Sequence, residues 1–497
     1  MMKSFSVRSV SALLCGLLLA SAAMTACGES AVTSGTEYTP DAPNAESETE
    51  AVTEPVKPYL DDLPEDLDLG GYSIRFLTSD IDTFGILEDN GDVVDSAIYA
   101  RDTKIQDRLN VSLEYITDDT WEGILSDFKK SVTAGSDDYD IYAGYCYWSI
   151  VLATGGYLQN LADAEYISLD REYWGKKFID AMSYKDYIYW LTGDIALSYT
   201  SGMYATYVNT RIWYNTYDDE DIYDLVRAGK WTIEDMTRRS RELYHDLNGD
   251  SKVDEEDLVG FVYTTEDAID GLSMACGVKY TEFDANGIPQ LYITAHPETA
   301  VAFAERLYEL CTGEGSLCTT SDDCKSSSTL FASGNVAFLH GRMKNCITYL
   351  REMKDDFAVI PLPKLDEAQA TYLTTLHDGT TVFGLPKTIS DAGRKASLST
   401  LEALAAESYK SLTPAFLDNA LKYKYSRDAD SADMIDLIRS NIVSDFGYQY
   451  TSTGFNNFFR GVCKKDGATV SSNIAKKEAS WQKLLDKIIV ALEENAT

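Results

Sequence analysis

YSIRFL at Tyr72–Leu77 and VSLEYI at Val111–Ile116 have the two-residue alternation of strands, and YDIY at Tyr139–Tyr142 reads as a third, short strand. Between them lie two stretches with helical spacing. Val93–Leu109 carries Ile98, Ile105 and Leu109 on or near one stripe, and Trp121–Val132 reads as a second helix. Strand, helix, strand, helix, strand is the pattern of a parallel sheet joined by right-handed crossovers. Ligands of such sheets sit beyond the carboxyl ends of the strands. That rule points to Gly144-Tyr145-Cys146-Tyr147-Trp148, which follows the third run.

Downstream, Tyr187–Leu191 and Ala196–Asn209 read as strands rich in Tyr, Thr and Ser. Thr232 opens a helix that runs to about His245, with Asp235 three residues on as a weak capping box. Thr299–Leu310 is amphipathic. Val336–Leu339, Phe357–Ile360 and Thr381–Leu385 read as strands, and Arg394–Ala406 and Thr413–Leu421 as helices. The last helix, about Ser472–Glu494, places Ile474, Trp481, Leu484, Leu485, Ile488, Ile489 and Leu492 at helical spacing.

Upstream, an apolar run from Val10 to Met24 follows Lys3 and Arg8. It is shorter than the roughly 20 apolar residues of a membrane span and has the regions of a secretory signal. It ends in Met24-Thr25-Ala26-Cys27, which resembles a bacterial lipobox. The resemblance implies a signal peptide over 1–26 and lipidation of Cys27, with the chain held at the outer face of the cell membrane. Two acyl chains suffice for stable anchoring. Residues 28–66 hold eleven acids, one lysine and five prolines. So few apolar groups cannot offset the entropy of ordering, so 27–66 is expected to be a disordered tether reaching roughly 35 Å or more.

The chain of 497 residues has a formal charge of −37, and loss of 1–26 removes two cations and no acid, giving −39. Such a charge repels nucleic acid and implies no nucleic-acid partner. Seven cysteines follow Cys27: Cys146, Cys276, Cys311, Cys318, Cys324, Cys346 and Cys463. Their number is odd and their spacing is not that of a metal site. Buried thiols are expected; Cys311–Cys324 or Cys318–Cys324 bridges are open alternatives.

Several stretches together resemble the family 1 extracellular solute-binding proteins, the lipoprotein receptors of sugar-importing ABC transporters. They are Val94–Arg101 (VDSAIYAR), Asp140–Leu161 with its GGYLQNL ending, and Gly229-Lys230-Trp231-Thr232. Further along come Phe331–Phe338 (FASGNVAF), Ile360–Lys364 (IPLPK) and Leu401–Asp428. The resemblance runs from about Leu67 to the C-terminus. It implies an α/β, two-lobe periplasmic-binding-protein-like (type II) fold that closes by a hinge on a ligand between the lobes. Expected boundaries are 67–198 plus 379–412 for lobe 1 and 199–378 plus 413–497 for lobe 2. The implied ligand is a small carbohydrate, and the implied partners are ABC permease subunits.

A sugar offers an apolar C–H face and a ring of hydroxyls, which suit aromatic rings beside carboxylates and amides. Tyr145, Tyr147 and Trp148 are the leading candidates by position. Trp190, Tyr199, Tyr204, Trp231 and Tyr372 follow, with Trp231 and Tyr204 reading better as core. Asp194 near the first lobe crossing, His340 and Arg342 after FASGNVAF, and Asp378 by the second crossing complete the set.

Residues 246–257, DLNGDSKVDEED, resemble a calcium loop of the EF-hand or dockerin kind. Its ligands would be Asp246, Asn248, Asp250, the Lys252 carbonyl, Asp254 and Asp257, an oxygen set suited to structural Ca²⁺. Ser251 stands where such loops have Gly, and Asp257 where they have Glu. No metalloprotease, hydrolase-elbow, phosphate-loop or dinucleotide motif occurs, and no catalytic residue is assigned. A cell-surface carbohydrate-active enzyme, a peptide or other-solute receptor, and a calcium-dependent adhesion or sensor module are the alternatives.

Overall fold

The computed structural model describes residues 59–86, 88–422, 429–450, 454–455, 457–464 and 469–495. The signal segment, Cys27, the tether up to residue 58 and the Tyr425–Asp428 motif lie outside them. The first sheet takes β1 (Tyr72–Thr78), β2 (Val111–Thr117) and β3 (Ile141–Tyr145). The chain then builds a second sheet from β4 (Tyr204–Asn209) and β5 (Val259–Tyr263), and a small hairpin from β6 (Thr281–Phe283) and β7 (Pro289–Leu291). It adds β8 (Ser316–Cys318), β9 (Val336–Arg342) and β10 (Phe357–Ile360) to the second sheet, and returns to the first for β11 (Thr381–Gly384).

The order of the first sheet is β11-β3-β1-β2. β1 runs parallel to β2, Tyr72 opposite Val111, and to β3, Phe76 opposite Ile141. β11 lies antiparallel to β3. The intervening helices are closed by their own chemistry. Asp92 caps Val93–Leu109, and Thr120 Oγ1 accepts from Gly123 N at 3.1 Å to cap Trp121–Ala134. Gly135 ends the second helix in the left-handed region, where a side chain would be strained. The second sheet has the order β10-β4-β9-β5-β8, with β9, β5 and β8 parallel.

Alternation along the strands divides the core. Ile74 and Phe76 of β1 enter the cluster on the outer side of the first sheet. Val208, Phe261 and Phe338 enter the one on the outer side of the second. A further cluster joins the two sheets, with Leu77 and Tyr142 from the first and Tyr207, Val262 and Leu339 from the second.

The chain passes between the sheets in neighbouring segments that bond to one another. His377 N donates to Gly202 O at 3.0 Å and Val443 N to Thr374 O at 2.8 Å. The last helix, Val470–Asn495, straddles the boundary. Its Ile474 and Trp481 pack in the second core, and its Leu485, Ile488 and Leu492 in the shared cluster. The helix Thr413–Lys422, grouped by sequence with lobe 2, packs on Val93–Leu109 of lobe 1, where Phe416 meets Val94 and Ile98.

Two further expectations differ from the structure. The described residues begin at Tyr59, and residues 59–66, expected to belong to the tether, pack against the folded unit. Arg108 lies 3.5 Å over the Tyr59 ring and pairs with Asp61, Leu63 is buried, and Arg171 pairs with Asp62. Two of the acids that argued for a tether as far as residue 66, Asp61 and Asp62, thus find distant arginines. Within Ala196–Asn209, Leu197–Ser201 is a helical turn and only Tyr204–Asn209 a strand. Ser198 Oγ accepts from Thr381 N at 2.9 Å, and that tertiary bond outweighs local β propensity.

Candidate functional site

Strand ends from both sheets converge on a cavity of about 500 Å³. Asp80 follows β1, and Tyr145 ends β3. Tyr147 and Trp148 lie in the helix Cys146–Thr154 that starts there. From the second sheet, Glu266 and Asp270 follow β5, and Arg342 and Lys344 stand at and just past the end of β9. Ser198, Ser201, His377 and Asp378 come from the crossing segments, and Asn457 and Arg460 from the C-terminal part.

The aromatic wall is held by backbone bonds. Cys146 N donates to Thr380 O and Tyr147 N to Asp378 O, each at 2.9 Å. Trp148 stacks on Trp121 with ring centroids 3.8 Å apart and planes 6° apart, and Tyr147 meets Trp148 edge-on at 4.3 Å. One face of Trp148 is therefore covered by protein.

The charges come in bonded sets. Asp323 accepts from Arg342 Nη2 and, at 2.7 Å, from Lys344 Nζ. Burial works against the Asp323 carboxylate, but Arg342 and then Lys344 outweigh it and hold its pKa below the ordinary value. Arg460 Nε donates to Asp270 Oδ1 at 2.9 Å, with Glu266 at 4.0 Å. Asp80 is different. Burial pushes its pKa up to about 6, against the opposing hydrogen bond from Tyr145. Burial, then the Asp80 charge, push Tyr145 to about 12. The cavity thus offers rings, fixed ion pairs and hydroxyls, a surface for holding a polar molecule of a few hundred cubic ångströms.

No family model and no curated protein matches the sequence. Solved structures do match in three dimensions. The UgpB protein of Mycobacterium tuberculosis, solved with glycerophosphocholine, superposes with a TM-score of 0.55 at 16% identity, covering 84% of this chain and 100% of that one. The fold is that of the extracellular solute-binding proteins. A galacto-N-biose/lacto-N-biose I-binding protein of an ABC transporter from Bifidobacterium longum, solved with lacto-N-biose, gives 0.54 at 11% identity, covering 84% and 98%. A family 1 extracellular solute-binding protein from Bifidobacterium longum subsp. infantis gives 0.53 at 14%, covering 82% and 100%.

Of the residues singled out in the sequence, Tyr145, Tyr147, Trp148, Arg342 and Asp378 line the cavity. Tyr204, read as core, is buried yet also touches it. The others lie elsewhere. Trp190 is buried in the shared cluster against Tyr142. Trp231 is fully buried in the second core, its indole N–H donating to Pro361 O at 3.0 Å. The Tyr372 hydroxyl accepts from Trp231 N at 3.2 Å, which places that ring in the same core. His340 lies inside β9 against the Phe261 ring at 4.7 Å; burial pulls its pKa down to about 3, so it is neutral. Asp194 is buried at the lobe crossing, where Arg439 pairs with it and Thr413 Oγ1 donates to it at 2.7 Å. In each case the side chain is satisfied by, or enclosed in, the protein and cannot reach a guest in the cavity.

Asp80, Glu266, Asp270, Asp323, Lys344, His377, Asn457 and Arg460 line the cavity and were not singled out. The strand-end rule that found Tyr145 also finds Asp80, Glu266 and Lys344 once applied to β1, β5 and β9. Asp323 and Arg460 carry no such local sign.

The loop 246–257 keeps its oxygens on its own backbone. Asp246 accepts from Gly249 N and Ser251 N, Asn248 from Asp250 N, and Asp250 from Lys252 N. Asp257 is buried and accepts from Leu247 N, Asp254 N and Tyr244 OH. The donor type fits a hard cation, and among the described residues no group of three or more His, Cys, Asp or Glu side chains is gathered for a metal.

Proposed function

We propose that this chain is a lipid-anchored receptor at the outer face of the cell membrane that closes on a small carbohydrate and delivers it to an ABC import permease. What carries the reading is the cavity, where a tyrosine–tryptophan wall from one sheet faces hydroxyls and bonded charges from the other and from the crossings. The rings suit the C–H face of a sugar and the polar groups its hydroxyls. The neighbour solved with lacto-N-biose adds support.

Asp270 and Asp323 are each held in an ion pair with an arginine, Arg460 and Arg342, so both are already bonded within the protein. The named neighbours of this fold are binding proteins rather than enzymes.

A thermal-shift screen against neutral mono- and oligosaccharides, amino acids and peptides tests the ligand class. A rise with one saccharide class, the sugar recovered intact by chromatography, supports the proposal. Rises only with peptides, or cleaved product, reject it. For the anchor, Cys27→Ala should move the protein from the membrane fraction to the medium; unchanged fractionation rejects lipidation.

A further inference from the structure

We propose that Cys311 and Cys463 are a disulfide site, joined when the chain folds against an external disulfide, and that the bond fixes the wall of the cavity that carries Asn457 and Arg460. The helix Glu298–Thr312 packs along the short 3-10 helix Phe459–Lys464. Phe303 and Phe459 meet edge-to-face at 5.0 Å at one end of the contact. Two turns beyond Phe303 stands Cys311, and one turn beyond Phe459 stands Cys463. Both are buried in the second core, and their thiols lie within hydrogen-bonding reach of each other. Cys463 Sγ also lies 3.0 Å from the Arg460 carbonyl, so the cavity-lining arginine and the thiol share one turn.

The sequence left Cys324 as a partner for Cys311. The structure instead sets Cys463 beside it, 152 positions along the chain, a distance in sequence at which no spacing rule operates. A link that closes so long a loop removes much unfolded-state entropy. Burial, then Cys463, push the Cys311 thiol far above its ordinary pKa, so thiolate chemistry belongs to the folding chain, before the core closes. In that step one thiolate attacks a sulfur of an external disulfide, releasing one external thiol and leaving a mixed disulfide. The second thiolate attacks the protein sulfur of that mixed disulfide and expels the second external thiol. Two protein thiols are oxidised, one external disulfide is reduced to two thiols, and the two protons end on those thiols. Exposure to such oxidants follows from the extracellular placement proposed above. The chemistry itself is tested without it.

The purified protein is unfolded and refolded in mixed reduced and oxidised glutathione, and in parallel in dithiothreitol. Non-reducing peptide mapping is expected to recover the Cys311 and Cys463 peptides joined, with a melting temperature about 5 °C above that of the reduced form. Cys463→Ala and Cys311→Ala should each erase that difference. Amide exchange at 457–463 should slow on oxidation while that of β1–β3 does not change. Recovery of the two cysteines as separate thiols or separate glutathione adducts, or of Cys311 joined to another cysteine, overturns the proposal. Because the peptide map reads the native sequence, the conclusion does not depend on either variant folding.

Discussion

Replacing Asp194 by alanine should cost the protein stability and leave its ligand affinity unchanged. The carboxylate is fully buried at the lobe crossing, where it pairs with Arg439 and accepts from Thr413 Oγ1; Arg439 also donates to Thr200 at 3.2 Å. These bonds tie together three segments that are far apart in the chain, around Asp194, Thr413 and Arg439. Removing one partner of a buried pair strands the other charge, at a cost of about 3–5 kcal/mol. A folded unit of about 440 residues has an unfolding entropy near 0.9 kcal/mol per kelvin, so the expected drop in melting temperature is about 3–5 °C. Asp194→Asn, which retains an acceptor for Thr413, should fall between the two. The assay is calorimetry on each variant, followed by titration with whichever saccharide stabilises the native protein. An alanine variant with unaltered melting temperature and lost binding would refute the reasoning and make Asp194 a ligand contact.

Trp148→Ala and Tyr147→Ala should each weaken saccharide binding about tenfold or more, read by calorimetric titration, with Trp148→Ala also lowering stability because it uncovers Trp121. His340→Leu should raise the melting temperature by about 1–3 °C, since both imidazole nitrogens are buried without a bonding partner. Its folded pKa of about 3 lies below the unfolded value of 6.5, so native stability from this group is complete above pH 6.5 and declines as pH falls towards 3. The leucine variant should lose that decline, measured by melting between pH 4 and 7. Asp80 has the opposite sign. Its folded pKa of about 6 lies above the unfolded 3.8, so its contribution is complete below pH 3.8 and lost as pH rises through 6. The melting temperature of Asp80→Asn relative to the native protein should therefore climb between pH 4 and 6.5 and then level off.

The first sheet was legible because β1 and β2 alternate and the intervening helices carry their own caps. The second lobe was harder where the chain crosses. Leu197–Ser201 has strand-forming residues, and only the distant Thr381 explains its helical turn. The same holds for residues 59–66, whose acids look like a solvated tail until Arg108 and Arg171 are placed beside them. In the cavity, residues next to strand ends were within reach of sequence reasoning, as Tyr145, Tyr147 and Trp148 show. Tryptophan alone does not separate core from cleft: Trp148, picked out by its place after a strand, lines the cavity and Trp231, read as core, is buried, but Trp190 carries no such positional sign and is buried as well. Asp323 and Arg460 enter the site through tertiary packing, which no local pattern encodes.

Reversible capture of an intact sugar between the lobes is read out by isothermal titration against a panel of neutral mono- and oligosaccharides. Saturable one-to-one binding of one saccharide class is expected, lost in Trp148→Ala, with the sugar recovered unchanged. Binding heats absent for every saccharide, or equal in Trp148→Ala and the native protein, would contradict it.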